Sequence, residues 1–366
     1  MNIDTSAVLA REALRKLVTS NVGPAEYLHE VSTHVNNVVG NDAFLWLTLD
    51  PDTMLSSGTL VTEQPVEYLH SLWRNELLEG DVNKLADLAR LRSPVATIGQ
   101  LDPASVAASP RLQLIHHPAG LGDELRVVLR TGGSVWGTGG LCRELGAPAF
   151  TARERAFVAD VADGIARGLR HSLSRPAEDD PADLTPGVVA FDGDGTLVSQ
   201  TADATRLIRL MPHDATSTLF SVAVSTLRHD SAGTRVRLVD GRWLLLQGGR
   251  MRGTTPGSEL VTVSLMPAPR AQRTALQLRL HALSAREREI AELLIHGLRT
   301  DELAGRLHIS PNTLRDHVKS IFSKVGARSR PELVALISDQ QPQRVERPAR
   351  GRDRPTRRGS RERREP

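Results

Sequence analysis

Cysteine is almost absent from this chain of 366 residues. Cys142 is the single one, which excludes a disulfide framework and any metal site built from several thiolates. Aromatic residues are scarce as well, with 4 Trp, 2 Tyr and 6 Phe. That is too few for the stacking platforms that proteins lay under single-stranded nucleic acid. Lysine is confined to Lys16, Lys84, Lys319 and Lys324, so nothing between residues 85 and 318 supplies an ammonium group. No apolar run reaches the length of about 18 residues that a membrane span requires. The opening segment MNIDTSAVLAREALRKLV lacks the apolar stretch of an export signal. The expectation is a soluble protein of the reducing cytoplasm with no membrane contact.

What is present is unevenly distributed. The formal net charge of +3 conceals an acidic bulk, since residues 1–282 carry 27 basic and 31 acidic side chains. Residues 283–338 carry 9 basic and 7 acidic, and residues 339–366 carry 10 and 5. The positive field therefore lies at the C-terminal end, where a polyanion would dock. Two boundaries divide the chain. SLSRPAEDDPADLTPG (172–187) combines Pro with acidic residues and almost no large apolar side chain, as a solvated linker does. MPAPRAQ (266–272) closes a strand-like run with two prolines and leads into a linker helix over 269–282. The Arg- and Pro-rich stretch 339–366 lacks periodicity and reads as a disordered tail that adds nonspecific affinity for DNA. No repeat of fixed period is present.

In residues 1–171, AEYLHEVSTHVNNVV is amphipathic at helical spacing, and AFLWLTLDP is a short apolar strand stopped by Asp50–Pro51. VEYLHSLWRNELLEG and VNKLADLARL are helical in pattern. Two strands flank Thr131–Gly132–Gly133 as a hairpin, and Thr151 with Glu154 forms a capping box that opens a long helix. This order resembles a GAF domain, a small-molecule sensor fold built on a central antiparallel sheet. In residues 188–268, VVAF and TLVS flank Asp192–Gly195, TADATRLIRLM is a short helix, and two strands meet at Asp240–Gly241 before a further strand, ELVTVSLMP. A strand meander with few helices is similar to a PAS-type sensor fold.

Residues 283–338 hold the densest set of local signals. Ser284 and Glu287 form a capping box, and Ile290, Leu293 and Leu294 share a face. Gly297 takes the left-handed C-terminal position. A short helix follows from Asp301 to Leu307, and His308–Ile309 makes the turn. Ser310 caps a third helix that has Pro311 at its first position and places Leu314, Val318, Ile321 and Val325 inward. A fourth runs from Pro331 to Ile337. Two helices joined by a tight turn, the second basic on its outer face, constitute a helix-turn-helix. Asn312, Arg315, Asp316, Lys319 and Ser323 share the exposed face of the third helix by spacing.

This segment resembles the LuxR-type helix-turn-helix of bacterial transcription factors. The matching positions are Leu283–Ser284, Arg286–Glu287, Glu289, Gly297, Glu302, Ala304, Leu307, Ile309–Ser310, Thr313, His317, Ile321, Lys324 and Arg328. It departs at Arg299, where the family usually has Ser or Thr, at Thr300, often Asn, and at Asp316, usually small or apolar. The resemblance implies that Arg315, Asp316 and Lys319 read bases, while Asn312, Thr313, Lys324 and Arg328 grip phosphates. It also implies a homodimer on double-stranded DNA, with RNA polymerase as a further partner.

FDGDGTLVSQ (191–200) competes with this reading. It resembles the opening motif of haloacid-dehalogenase-type phosphatases, in which Asp192 would be the nucleophile, Asp194 the general acid/base, and both would hold Mg²⁺. That chemistry needs a downstream Lys and a later acidic pair, and the sequence supplies neither before Lys319. A hairpin turn accounts for the same residues. A phosphorylation-driven response regulator is disfavoured because the first block shows no acidic cluster–Asp–Lys order along a five-fold βα pattern. His116–His117, if on a strand, point to opposite faces and share no metal. Cys142 reads as a small buried apolar residue, and Trp46, Trp136 and Trp243 as core. The expectation is thus a non-enzymatic regulator without cofactor or metal. Its fold class is α+β, a GAF-like and then a PAS-like antiparallel sheet domain under which a small ligand is sensed, followed by an all-α four-helix helix-turn-helix domain.

Overall fold

The computed structural model describes residues 3–174, 184–212, 215–252 and 259–337. The expected tail over 339–366 and most of the expected linker over 172–187 lie outside the described residues.

The first unit opens with helices α1 (Ile3–Leu17) and α2 (Pro24–Asn36), then strands β1 (Ala43–Leu49) and β2 (Ser56–Thr62). Helices α3 (Val66–Leu78) and α4 (Leu85–Leu88), strand β3 (Val95–Thr97) and helix α5 (Pro103–Ala108) follow. A π-helical turn (Leu112–His116) leads into the long hairpin of β4 (Leu121–Thr131) and β5 (Ser134–Glu144). Helix α6 (Ala152–Leu173) ends the unit. Its capping box is formed as expected, the Thr151 hydroxyl accepting from the Glu154 amide and Glu154 accepting from the Thr151 amide. Phe157, Val158, Val161, Ile165 and Leu169 of α6 lie buried with Leu28, Val31 and Val35 of α2 against Trp46, Leu125 and Val127 of the sheet. At Gly139 a side chain would collide with the Trp46 ring, a Cβ lying 2.4 Å from it, so only glycine lets the indole lie flat on the strand.

The second unit contains β6 (Gly187–Phe191), β7 (Leu197–Gln200), α7 (Ala202–Leu210), α8 (Ala215–His229), β8 (Ser231–Arg237), β9 (Trp243–Met251) and β10 (Leu260–Pro267). Both sheets are antiparallel and five-stranded, ordered β2-β1-β5-β4-β3 and β7-β6-β10-β9-β8. Each places its strands in the local order second, first, fifth, fourth, third, so the topology repeats where the sequence shows no repeat.

The two units share apolar cores. Strand β9 alternates: Leu244 and Leu246 face α7 and α8, while Trp243 and Leu245 turn the other way into the core of the first unit. Phe220 and Val224 of α8 pack with Leu47, Leu49, Trp73 and Val128 of the first unit. The second unit has two helices against five strands, and the second of them, α8, is not expected from the sequence. ATSTLFSVAVSTLRH is rich in Ser, Thr and Val, which disfavour helix locally. Burial holds it, and its hydroxyls bond back to their own turn, Ser221 to the Thr218 carbonyl and Thr226 to the Val222 carbonyl, both at 2.8 Å. The expected helix over VNKLADLARL shrinks to the single turn of α4, and α1 was not foreseen.

Helix α9 (Arg270–Leu280) joins the sheet units to the last domain, made of α10 (Ala285–Ile295), α11 (Thr300–Arg306), α12 (Pro311–Val325) and α13 (Arg330–Ile337). It is two-sided. Leu276 and Leu280 enter the core of the first unit, and Leu278 enters the helical core.

Candidate nucleic-acid interface

The helical domain is assembled from local stop and start signals. Ser284 caps α10 through the Glu287 amide, and Glu287 accepts from the Ser284 amide at 2.6 Å. Gly297 (φ 96) closes α10, and His308 (φ 52) makes the turn between α11 and α12. The Ser310 hydroxyl accepts from the Thr313 amide at 3.1 Å with Pro311 at the first helical position, and Gly326 (φ 79) ends α12. Leu283, Ile290, Leu294, Leu303, Leu307, Leu314, Ile321, Val325, Leu333 and Ile337 are buried together, and Val318 packs against them half-buried. At the departure from the family pattern, the Arg299 amide donates to Glu302 at 3.0 Å, so the start of α11 is capped from its third residue.

Polar contacts lock the helices together. The Glu287 carboxylate receives the Lys324 ammonium at 2.8 and 2.7 Å and the Ser320 hydroxyl at 2.6 Å, fixing α12 on the start of α10. Burial pushes this carboxyl up, but the bonds from Lys324, Ser320 and Ser284 outweigh burial and hold it at about 2. Arg286 donates to the Leu307 carbonyl at the end of α11, and Arg330 to the Leu294 carbonyl at the end of α10. Both guanidiniums thus satisfy helix C-terminal carbonyls.

Asn312, Thr313, Arg315, Asp316, Lys319, Ser323 and Arg328 are all exposed. The Arg315 guanidinium takes a bond of 2.9 Å to the Asn312 side-chain oxygen, which draws it toward the N-terminal end of the row. Lys324 is exposed as well, but its ammonium is engaged by both oxygens of Glu287, so it also braces α12 against the start of α10.

Asp192 and Asp194 lie in the β6–β7 hairpin. The Asp192 carboxylate accepts from the Asp194 and Thr196 amides at 3.0 and 2.8 Å, and Gly195 adopts φ 82. The aspartates are used as turn residues between antiparallel strands, and nothing supports the phosphatase reading. Trp46, Trp136 and Trp243 are buried as expected. His116, however, is on the π-helical turn and not on a strand, and it lies within reach of Glu124 and Cys142, a juxtaposition that the spacing in the sequence does not suggest.

The short turn between α11 and α12, the sealed core beneath α12 and its exposed polar face define a DNA-binding helix-turn-helix domain. Residues 281–337 match the family model described as bacterial regulatory proteins, luxR family. The chain is 40% identical over 55 residues to the spore germination protein GerE of Bacillus subtilis, covering 15% of this chain and 74% of GerE. It is 34% identical over 80 residues to the nitrate/nitrite response regulator protein NarL of Escherichia coli, 22% of this chain. The chain therefore belongs to the LuxR family of bacterial regulatory proteins, although it spans only 37% of the length of NarL. Among solved structures, Escherichia coli SdiA aligns over 91% of this chain and 98% of its own at 13% identity, with a TM-score of 0.35, too low to define the arrangement of the sheet units.

Proposed function

We propose that this protein is a cytoplasmic transcriptional regulator whose helix-turn-helix binds double-stranded DNA as a homodimer. The two sheet units, GAF-like and then PAS-like, would control it in response to a small molecule. The observation that carries the reading is the exposed row on α12, standing on a core closed by Leu314, Ile321 and Val325. In this reading α12 enters the major groove, with Arg315, Asp316 and Lys319 at base edges. Asn312, Thr313, Lys324 and Arg328 hold phosphates, and Lys324 also acts through Glu287 by keeping α12 at its angle to α10. RNA polymerase is the expected protein partner at the promoter. The two-sided α9 supports control by the sheet units, because a shift of their shared core would move Leu276, Leu280 and Leu278 together. Among the described residues no helix is long and apolar enough to cross a membrane.

The test is selection of bound duplexes from a random pool with the full chain, followed by binding to the recovered sequence over a salt series. A recovered two-fold symmetric site with affinity that falls steeply with salt supports the reading. Failure to enrich any sequence, with salt-independent retention, would overturn it.

A further inference from the structure

Three donor side chains from different parts of the first unit converge away from the DNA-binding domain. Glu124 on β4 and Cys142 on β5 are direct cross-strand partners, and His116 reaches them from the π-helical turn. One donor atom from each, a His116 ring nitrogen, a Glu124 carboxylate oxygen and the Cys142 sulfur, lies within 4.8 Å of the other two, and all three residues are buried. Two backbone irregularities create this meeting. The π-helical turn is a rare element found disproportionately at functional sites. The register of β4 on β5 also shifts between Leu121 and Glu124, a bulge that re-aims the strand next to the cluster.

The hydrogen bonds leave His116 Nε2 over, while the Cys142 sulfur has a hydrogen bond with Tyr68 that an ion would replace. Tyr68 bonds His116 Nδ1 at 2.7 Å, fixing the ring. His116 Nε2 then has no hydrogen-bond partner, although the residue is only 1% exposed. Its nearest ionic neighbour is Glu124 Oε1 at 3.5 Å, too long for a good bond. Glu124 Oε2 is taken by Arg111 Nε at 3.0 Å, while Oε1 has only the loose approaches of His116 and of Arg126 Nε at 3.7 Å. A buried unpaired nitrogen is costly, and an ion between Nε2, Oε1 and Sγ would relieve it. An imidazole anchored through its other nitrogen is how metal-binding histidines are commonly oriented.

We propose that His116 Nε2, Glu124 Oε1 and Cys142 Sγ bind one divalent transition-metal ion of the zinc or ferrous class. A mixed nitrogen, oxygen and sulfur set suits such borderline ions and disfavours magnesium and calcium, which take oxygen donors. Three protein ligands leave a fourth position for an exogenous molecule. An open cleft of about 450 Å³ lies one residue layer away, lined by Ala43 and Leu121, which pack around Cys142.

Cobalt(II) is the probe, added to the full chain after chelator treatment. The expected result is a near-ultraviolet thiolate-to-cobalt band that saturates at one equivalent and is discharged by zinc. Cys142→Ser should abolish the band, and His116→Gln should weaken cobalt binding by about tenfold or more, both with unchanged far-ultraviolet circular dichroism. X-ray absorption at the zinc edge of the wild-type protein makes the test independent of how the variants fold. One sulfur scatterer among nitrogen and oxygen is the expected shell. A folded wild type that gives no cobalt band, or a zinc shell without sulfur, overturns the site.

Discussion

Asp50, just beyond the end of β1, grips the Arg235 guanidinium of β8 with both carboxylate oxygens, at 2.8 Å to Nε and 2.7 Å to Nη2. The two side chains are 2% and 6% exposed, so this ion pair is sealed between the two sheet units. Arg235 also donates to the Gln272 carbonyl at the start of α9 at 3.2 Å, and Asp52 binds both Arg235 and Arg279 of α9. One network, sealed at Asp50–Arg235 and open to solvent at Asp52, thus joins both sheets to the helix that precedes the DNA-binding domain.

Removing one member of such a pair strands the other charge out of water. Arg235→Met is expected to destabilise the full chain by about 3–5 kcal/mol. Adding Asp50→Asn should recover part of that loss, a coupling of about 1 kcal/mol or more in a double-mutant cycle. Urea denaturation of the four proteins measures it. Additive losses would mean that the two side chains do not hold the units together.

The Glu287–Lys324 pair carries a pH dependence whose sign is fixed. The folded carboxyl sits at about 2 against an ordinary value of 4.5. The folded state therefore binds its proton less readily than the unfolded chain. The resulting stability is fully present above about pH 4.5 and is lost as pH falls toward about 2. The slope in that window is at most about 1.4 kcal/mol per pH unit. Glu287→Gln should flatten it and cost about 2 kcal/mol at neutral pH, through the charged bonds to Lys324 and Ser320. Thermal melts of wild type and variant between pH 2.5 and 7 provide the check, and parallel curves would refute the assignment.

The C-terminal domain was legible in the sequence because its determinants are local. The Ser284 and Ser310 caps, Gly297, Pro311 and the spacing of Leu314, Ile321 and Val325 all act within a turn or two of chain. The same holds for the hairpins at Gly132–Gly133 and Asp240–Gly241. Helix α8 was not legible, since its Ser, Thr and Val residues oppose helix until burial overrides them. Nor could periodicity tell that Trp243 and Leu245 would leave their own unit and join the neighbouring core. Period 2 gives two faces, and only packing decides what each face meets. Within the interface, exposure of Arg315, Asp316 and Lys319 followed from spacing. The capture of Lys324 by Glu287 did not, because it depends on how two helices cross.

Residues 270–337 should fold without the sheet units and bind duplex DNA, with affinity that falls steeply with salt. The two-sided α9 sharpens this expectation. In the excised domain, Leu278→Ala removes a side chain buried in the helical core and should cost about 2–4 kcal/mol. Leu276→Ala and Leu280→Ala should be near neutral there, since their partners lie in the absent unit. Equal effects at all three positions would mean that α9 belongs wholly to one side.

Asp316 carries the sharpest prediction for base reading. It stands exposed beside Arg315 on the outer face of α12, and in a DNA groove a carboxylate is repelled by phosphates unless a base donor pairs with it. A cytosine amino group or adenine N6 is such a donor, while Arg315 suits guanine O6 and N7. Arg315→Ala should cost about 1–3 kcal/mol on the selected site and relax preference at one base pair. Asp316→Ala should act in the opposite sense on overall binding: nonspecific affinity rises because an anion has gone, while discrimination at one C·G or A·T position falls. Selection from a random pool, run for wild type and both variants at one fixed salt concentration, separates these effects. Should Asp316→Ala recover the same sequence as wild type, the carboxylate is a solvated surface charge, and base reading on α12 rests on Arg315 and Lys319.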